Sequence, residues 1–236
     1  MEQYSRTARL IGEEGVAALR RARVAVFGIG GVGGYVCEAL VRSGLGSIDL
    51  IDNDVVSMSN INRQLIATHS TIGRQKVQAM AERLKDIAPD VTVTTHAMFY
   101  LPETADEIDL SQFDYVVDCI DTVTAKLALI ARCQEKGVRI ISAMGAGNKL
   151  DPSKLQVADI YATTACPLAR IMRKECRKRG IDRLKVAYST EDPVIPPTRI
   201  SAEDGPRRDI PASAVFVPAA MGLLIASEVV KDLVEG

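Results

Sequence analysis

The chain gathers groups that can hold and polarise phosphate in two places, residues 28–76 and the neighbourhood of residue 121. In "AVFGIGGVGGYVCEALVRSGLGSIDLIDND" an apolar run leads into Gly28, Gly30, Gly31 and Gly33, and the acidic pair Asp52 and Asp54 closes the next apolar run. Glycines at this spacing permit a tight turn and a close approach of backbone to an anion. A helix that follows them directs free N–H groups and its positive dipole end at that anion. Asp52 then falls where a carboxylate can accept hydrogen bonds from ribose hydroxyls. These features serve NAD and ATP alike, and a helix–strand turn without a ligand has the same appearance.

The residues that follow separate the alternatives. "DNDVVSMSNINRQLIATHSTIGRQKVQAM" brings Asp54, Asn60, Asn62, Arg63, Gln64 and Lys76 just beyond the second apolar run. A hydride-transfer pocket has little use for several charges near the phosphates. Phosphoryl chemistry does, because Arg and Lys neutralise charge that develops at phosphorus and on a departing pyrophosphate. Asp121, in "VVDCIDTVTAK", adds a carboxylate suited to Mg²⁺. Taken singly, Arg63 or Lys76 is equally a solvated surface charge and Asp121 a helix N-cap. Lys76 is expected to be solvent-facing and to contribute little to the core.

Positioning these groups requires a sheet whose strand ends meet in one crevice. Hydrophobic periodicity predicts a short helix over 13–21, strands over 23–27 and 47–51, and a helix from about 33 to 43. A helix over 76–87 ended by Pro89 follows, then strands over 91–96, 115–119 and 139–143 with a helix over 125–136 between the last two. The repeated βα alternation implies an α/β, Rossmann-like, doubly wound and mainly parallel sheet. After about residue 147 the pattern changes. Residues 155–160 alternate as in a partly exposed antiparallel extension, 168–179 read as a basic helix, and 185–189 as a further strand. Residues 190–211 are rich in proline and charge and read as a long loop. The apolar stretch 212–233, interrupted by Pro218 and Glu228, reads as a buried helix rather than a membrane span.

Bulk properties agree with one folded unit over 1–236, divided into a nucleotide-binding part, 1–147, and an extension, 148–236. The chain is 47% hydrophobic and 25% charged, which can supply a full core. No basic start followed by an apolar run marks a signal peptide. Five widely spaced cysteines, an odd number without a C-x-x-C pair, suit free thiols in a reducing cytoplasm and argue against a structural zinc site. The net charge of −1 does not by itself favour a polyanionic partner. Local clustering does. At about 100° per residue, Arg170, Arg173, Lys174, Arg177 and Lys178 fall on one arc and Leu168, Ile171, Met172 and Cys176 on the other. Such an arc suits a nucleic-acid backbone, with Arg207 and Arg208 as candidate additions, although a solvated helix face has the same pattern. Cys166 precedes Pro167 at an expected helix N-terminus, where a thiol pKa can fall, and a buried incidental cysteine is the alternative.

The motifs G-x-G-G-x-G, D-x-D, S-N-x-N-R-Q, G-x-x-K and D-x-x-D-T together resemble the ATP-dependent adenylating enzymes typified by ThiF, MoeB and the ubiquitin-activating enzymes. The resemblance runs from Tyr4 to about Ala146 and returns in the C-terminal helix. It implies ribose binding by Asp52, phosphate binding by Arg63 and Lys76, and metal binding by Asp121. Arg9, in "SRTARLIGEEG", matches an N-terminal arginine that reaches into the neighbouring subunit's ATP site, so a homodimer with shared sites is implied; alone it is an exposed arginine in an N-terminal arm. The second half, "GAGNKLDPSKLQVADIYATTACPLARIMRKECRKRGI", resembles the tRNA threonylcarbamoyladenosine dehydratases. That implies ATP-dependent cyclodehydration of a modified adenosine beside the tRNA anticodon, through an acyl-adenylate. A sulfur-relay partner protein is left open. The rival functions are an activator of a small sulfur-carrier or ubiquitin-like protein's C-terminus, and an NAD-binding regulator without adenylating activity.

Overall fold

The computed structural model describes residues 2–198 and 211–236. The expected loop over 190–211 therefore falls partly outside the described residues, and Arg207 and Arg208 lie outside them altogether. In chain order the elements are α1 (Ser5–Arg21), β1 (Arg23–Phe27), α2 (Gly33–Ser43), β2 (Ser47–Ile51), α3 (Lys76–Ile87), β3 (Thr92–His96), β4 (Tyr115–Asp118), α4 (Val123–Lys136), β5 (Ile140–Ala143), β6 (Leu155–Asp159), α5 (Pro167–Lys178), β7 (Lys185–Ser189) and α6 (Phe216–Glu235).

The strands form one sheet in the order β3-β2-β1-β4-β5-β7-β6. All neighbours run parallel except β6, which is antiparallel to β7. Strand β1 shows why its sequence is apolar without interruption. Val24 and Val26 join the core shared with α1, α2, α3 and α6, whereas Ala25 and Phe27 join the opposite core against α4. A third cluster packs α4 and α5 against β7, through Leu127, Ile130, Met172, Cys176 and Val186. Both faces of the central strands are thus covered, as the βα alternation requires.

The first helix is longer than the periodicity predicted. It begins at Ser5 and is broken at Gly12, whose φ of 78° and ψ of 162° interrupt it, so that residues 13–21 form only its second segment. A left-handed φ is open to glycine without steric cost, which is how the sequence marks the bend. Helix α4 starts two residues earlier than expected, and α6 runs four residues later at its start and two at its end. Pro167 and Pro218 both sit in first helical turns, where a missing N–H breaks no bond. Among the described residues no helix is long and apolar enough to cross a membrane.

Helix α2 meets β1 through contacts too close for side chains. A Cβ on Gly33 would lie 1.8 Å from the Gly28 carbonyl oxygen, whereas one on Gly34 would meet Leu65 at an ordinary 3.7 Å. Gly33→Ala is expected to destabilise the fold by about 3 kcal/mol, the upper end of usual overpacking costs. Gly34→Ala should be neutral or stabilise by up to about 1 kcal/mol through helix propensity. Denaturant midpoints of the two variants check the contrast.

Candidate active site

A cavity of about 460 Å³ opens at the carboxyl ends of β1, β2 and β4, where the strand order reverses direction around β1. The glycine loop forms one edge. Gly28 has a φ of 89°, and a Cβ there would lie 2.7 Å from the Cys119 carbonyl oxygen, so this glycine serves the turn and the packing of the loop against the end of β4. Gly33 serves helix packing and does not line the cavity. Gly30 does line it, and a Cβ placed there meets nothing closer than Gln64 at 3.9 Å, so Gly30 keeps space free in the cavity. Gly31 completes this wall.

Asp52 ties the ends of β1 and β2 together. One carboxylate oxygen accepts the Ile29 N–H at 2.7 Å and the other the Asp54 N–H at 2.8 Å. Burial raises its pKa above the ordinary carboxylate value, against the opposing pull of the Lys76 ammonium. Each oxygen retains a further lone pair for a hydroxyl donor. Asp54, more exposed, pairs with Lys76 Nζ at 2.6 Å, and its carbonyl also accepts the Lys76 N–H at 3.0 Å. Lys76 is not solvent-facing: it is only 5% exposed at the first position of α3. The α3 turn delivers its stem through the core and its ammonium to the cavity wall.

The segment after β2 supplies the remaining cation. Asn60 spends its carboxamide oxygen on the Ser57 N–H, closing a capping box around the turn Met58–Asn60. Arg63 lines the cavity and donates to the Ser59 carbonyl and to Asn62 Oδ1, at 2.8 and 2.9 Å. Asn62 lies outside the lining and donates instead to the Ser213 carbonyl at 2.8 Å, fastening the start of the α6 approach to this segment. Gln64 is buried against the glycine loop, and its carboxamide oxygen has no partner among the described residues.

Strand β4 ends at Asp118, and Asp121 stands three residues farther on, exposed at the cavity. Thr122, not Asp121, occupies the N-cap position of α4. What holds this loop lies partly outside the sequence motifs. Asp118, wholly buried, accepts Lys126 Nζ at 2.9 Å and Ser142 Oγ at 2.5 Å on one oxygen, and the Ile120 N–H at 3.1 Å on the other. The spacing of Asp118 and Lys126, with both side chains apolar-flanked, was the available signal. An apolar wall also went unnoticed. Met98, Phe99 and Tyr100 follow β3 and face the cavity beside Phe27, whose ring meets Tyr100 edge-on at 4.9 Å. Burial pushes the Tyr100 hydroxyl up to about 12. The position just past a parallel strand, at the same edge as Asp52 and Asp121, was the clue to it.

Other expected residues lie elsewhere. Arg9 is exposed on the first segment of α1 and does not line its own chain's cavity. On α5, Arg170, Lys174, Arg177 and Lys178 are exposed. Arg173 is drawn onto the Thr163 carbonyl at 2.9 Å and Thr163 Oγ1, Arg177 lies 5.1 Å over the Tyr161 ring, and Lys178 pairs with Glu175. Ile171, expected on the apolar arc, is 43% exposed among these cations, because the helix buries only Ala169, Met172 and Cys176 fully. Cys166 sits buried at the N-cap of α5, and all five cysteines are free.

Removing one partner of the buried pair leaves the other charge uncompensated. Lys126→Met is expected to cost about 3–5 kcal/mol, and adding Asp118→Asn to that variant should recover part of the loss. Equilibrium unfolding of the single and double variants reads both.

A model of the ThiF family matches residues 4–235. The chain is 40% identical over 243 residues to the tRNA threonylcarbamoyladenosine dehydratase of Bacillus subtilis, covering 100% of this chain and 96% of that protein. The Escherichia coli tRNA N6-threonylcarbamoyladenosine dehydratase in complex with AMP superposes with a TM-score of 0.90 at 34% identity, over 99% of this chain and 94% of the other. Its complex with ATP gives 0.88 at 32% identity over the same shares. On a match that spans nearly every residue, the chain belongs to the ThiF family.

Proposed function

We propose that the chain is an ATP-dependent tRNA threonylcarbamoyladenosine dehydratase. The observation that carries this reading is the near end-to-end likeness to dehydratases from two bacteria, one of them solved with ATP and with AMP in place. The cavity suits the nucleotide. Phe27, Met98, Phe99 and Tyr100 offer an apolar wall to adenine, Asp52 accepts ribose hydroxyls, and the open space beside Gly30 and Gly31 admits the triphosphate. Arg63 and Lys76 face its phosphates, with Asn60 and Gln64 supporting that wall, Asp54 aligning Lys76, and Asn62 aligning Arg63.

Mg²⁺ fits the same wall. It is commonly bound by one or two carboxylates together with substrate phosphates, and no group of three or more ligating side chains stands ready to hold a metal alone among the described residues. Asp121 would hold it, and the ion would neutralise charge on the triphosphate. In the reaction, the threonylcarbamoyl carboxylate attacks the α-phosphorus of ATP and pyrophosphate leaves, giving an acyl-adenylate. The neighbouring carbamoyl oxygen or nitrogen then attacks the activated carbonyl, and AMP leaves with the former carboxylate oxygen. The ring closes with net loss of water, and no enzyme nucleophile is required. Lys76 and Arg63 stabilise the charge that develops at phosphorus.

Residues 1–236 act as one unit in this reading: 1–147 activate the carboxylate and 148–236 bring the substrate. Arg170, Arg173, Lys174, Arg177 and Lys178 meet tRNA phosphates, Arg173 and Lys178 less directly because Thr163 and Glu175 engage them. The setting is the cytoplasm, where five free thiols stay reduced. No step is assigned to a sulfur-relay partner, since none needs sulfur and Cys166 is buried.

Arg9, exposed and away from its own cavity, is assigned to the ATP site of a second subunit in a homodimer. Lys76→Met and Arg9→Ala should each lower modified-tRNA-dependent exchange of labelled pyrophosphate into ATP by about 10²–10³-fold. After subunit exchange at equal ratio, about a quarter of wild-type activity should return, because half of the dimers are mixed and each mixed dimer holds one intact site. No recovery despite confirmed exchange removes the trans role of Arg9. Unchanged activity in Lys76→Met removes the adenylation site itself.

A further inference from the structure

The cavity wall continues directly into α5. Ala146 lines the cavity, and a Cβ on the preceding Gly145 would stand 3.8 Å from Leu168 Cβ and 3.9 Å from Cys166 Sγ, at the N-terminal end of that helix. Beside it lie a cleft of about 230 Å³, bounded by Cys166, Pro167, Arg170 and Arg173, and an open groove of about 580 Å³ along the helix. Arg170 and Arg173 border both. The groove's floor consists of Ile171 and the aliphatic stems of Arg170, Arg173, Lys174 and Arg177.

Single exposed apolar side chains are common and mean little alone. Ile171 differs in its neighbours, since the residues one before it and two, three and six after it are all cations. A surface that only neutralises phosphates has no use for an apolar centre. The guanidinium heads around it are held: Arg173 by Thr163 and Arg177 over the Tyr161 ring. Glu175, the acidic residue of the helix, is taken by Lys178 and Arg179, so α5 itself supplies no counter-charge to Arg170, Lys174 or Arg177. From Arg170 to Arg177 the helix rises about 10 Å, a span that reaches the phosphates on either side of a single unstacked nucleotide.

We propose that this groove seats an unstacked nucleobase of the substrate tRNA's single-stranded loop on Ile171, while Arg170, Lys174 and Arg177 hold the phosphates on either side. The inference rests on the dehydratase reading and adds a base contact to it. An unpaired base offers an apolar face that packs on an aliphatic floor between guanidinium planes, and every base has such a face, so the contact selects unpaired strand over duplex without reading sequence. Because the N-terminal end of α5 packs beside Gly145, next to the cavity wall at Ala146, the adjoining modified nucleotide is directed toward the cavity. An acidic peptide would use the cations and leave Ile171 idle.

The test uses the full chain and two RNAs of equal phosphate count, a hairpin with a fluorescent purine analogue in its unpaired loop and a blunt duplex. Wild type should bind the hairpin more tightly and change the probe's fluorescence. Ile171→Gln should weaken the hairpin about tenfold, near the lower end of what a base stacked on an aromatic side chain contributes, abolish the fluorescence change, and leave duplex affinity and the salt slope as they were. Lys174→Gln should weaken both RNAs and flatten the salt dependence by about one counterion. Equal binding of the two RNAs by wild type, an unaffected Ile171→Gln, or equally effective competition by polyglutamate of matched charge each overturns the base contact. Conversion of threonylcarbamoyladenosine tRNA by wild type is scored in parallel. Turnover with a silent Ile171→Gln leaves the dehydratase reading standing and this inference refuted, whereas no turnover refutes the parent reading.

Discussion

The carboxylate of Asp118, buried completely at the end of a central strand, is the point through which sheet, helix and site loop are joined. It receives Lys126 from α4, Ser142 from β5 and the backbone N–H of Ile120 from the loop that carries Asp121. Taking two charges out of water costs several kcal/mol each, and only close pairing with satisfied hydrogen bonds offsets that cost. A hydrophobic pair would hold α4 against β4 at least as well. It would not fix where the chain turns after the strand, because it could not accept the Ile120 N–H or order Ser142. The arrangement therefore trades net stability for a defined path from β4 to the cavity.

The opposite side of the cavity is organised on the same principle with a less deeply buried pair. Asp52 joins the glycine loop to the end of β2 through two backbone N–H groups, and Asp54 holds Lys76 at the start of α3. Burial and pairing here prevent the side chains from wandering before a triphosphate arrives, so less ordering is left to binding. The positive groups Lys76 and Arg63, the Asp121 carboxylate and the apolar side chains around Tyr100 all border the same cavity. One cleft thus offers both an apolar surface and charged groups.

Much of this was legible because the local rules agreed with the global ones. The β1–α2–β2 unit matched its predicted bounds residue for residue, since continuous apolar runs, helical spacing and glycine punctuation all pointed the same way. The cavity residues Gly30, Asp52, Arg63, Lys76 and Asp121 were found because strand ends of a parallel sheet converge. Burial was less legible. Lys76 reads as a surface cation until the Asp54 partner and the α3 start are seen together, and Lys126 reads as an ordinary helix lysine until Asp118 is placed one turn of chain away in space. Ile171 falls on the apolar arc by angle alone, but α5 packs on a narrow stripe of Ala169, Met172 and Cys176, so a residue at the edge of the arc stays outside. Asn62 shows the same limit, its motif position being clear and its contact to Ser213 depending on a segment far along the chain.

The central claim is that this cavity activates a carboxylate on tRNA by transferring AMP to it. Heavy oxygen placed in the threonylcarbamoyl carboxylate follows that transfer directly. Incubation of the labelled tRNA with the enzyme and ATP, followed by mass spectrometry of nucleotides and nucleosides, should find one heavy oxygen in the phosphate of AMP and the modified nucleoside lighter by one water. Label that appears in orthophosphate, with ADP in place of AMP, or label that is released to water while AMP stays unlabelled, would contradict the account.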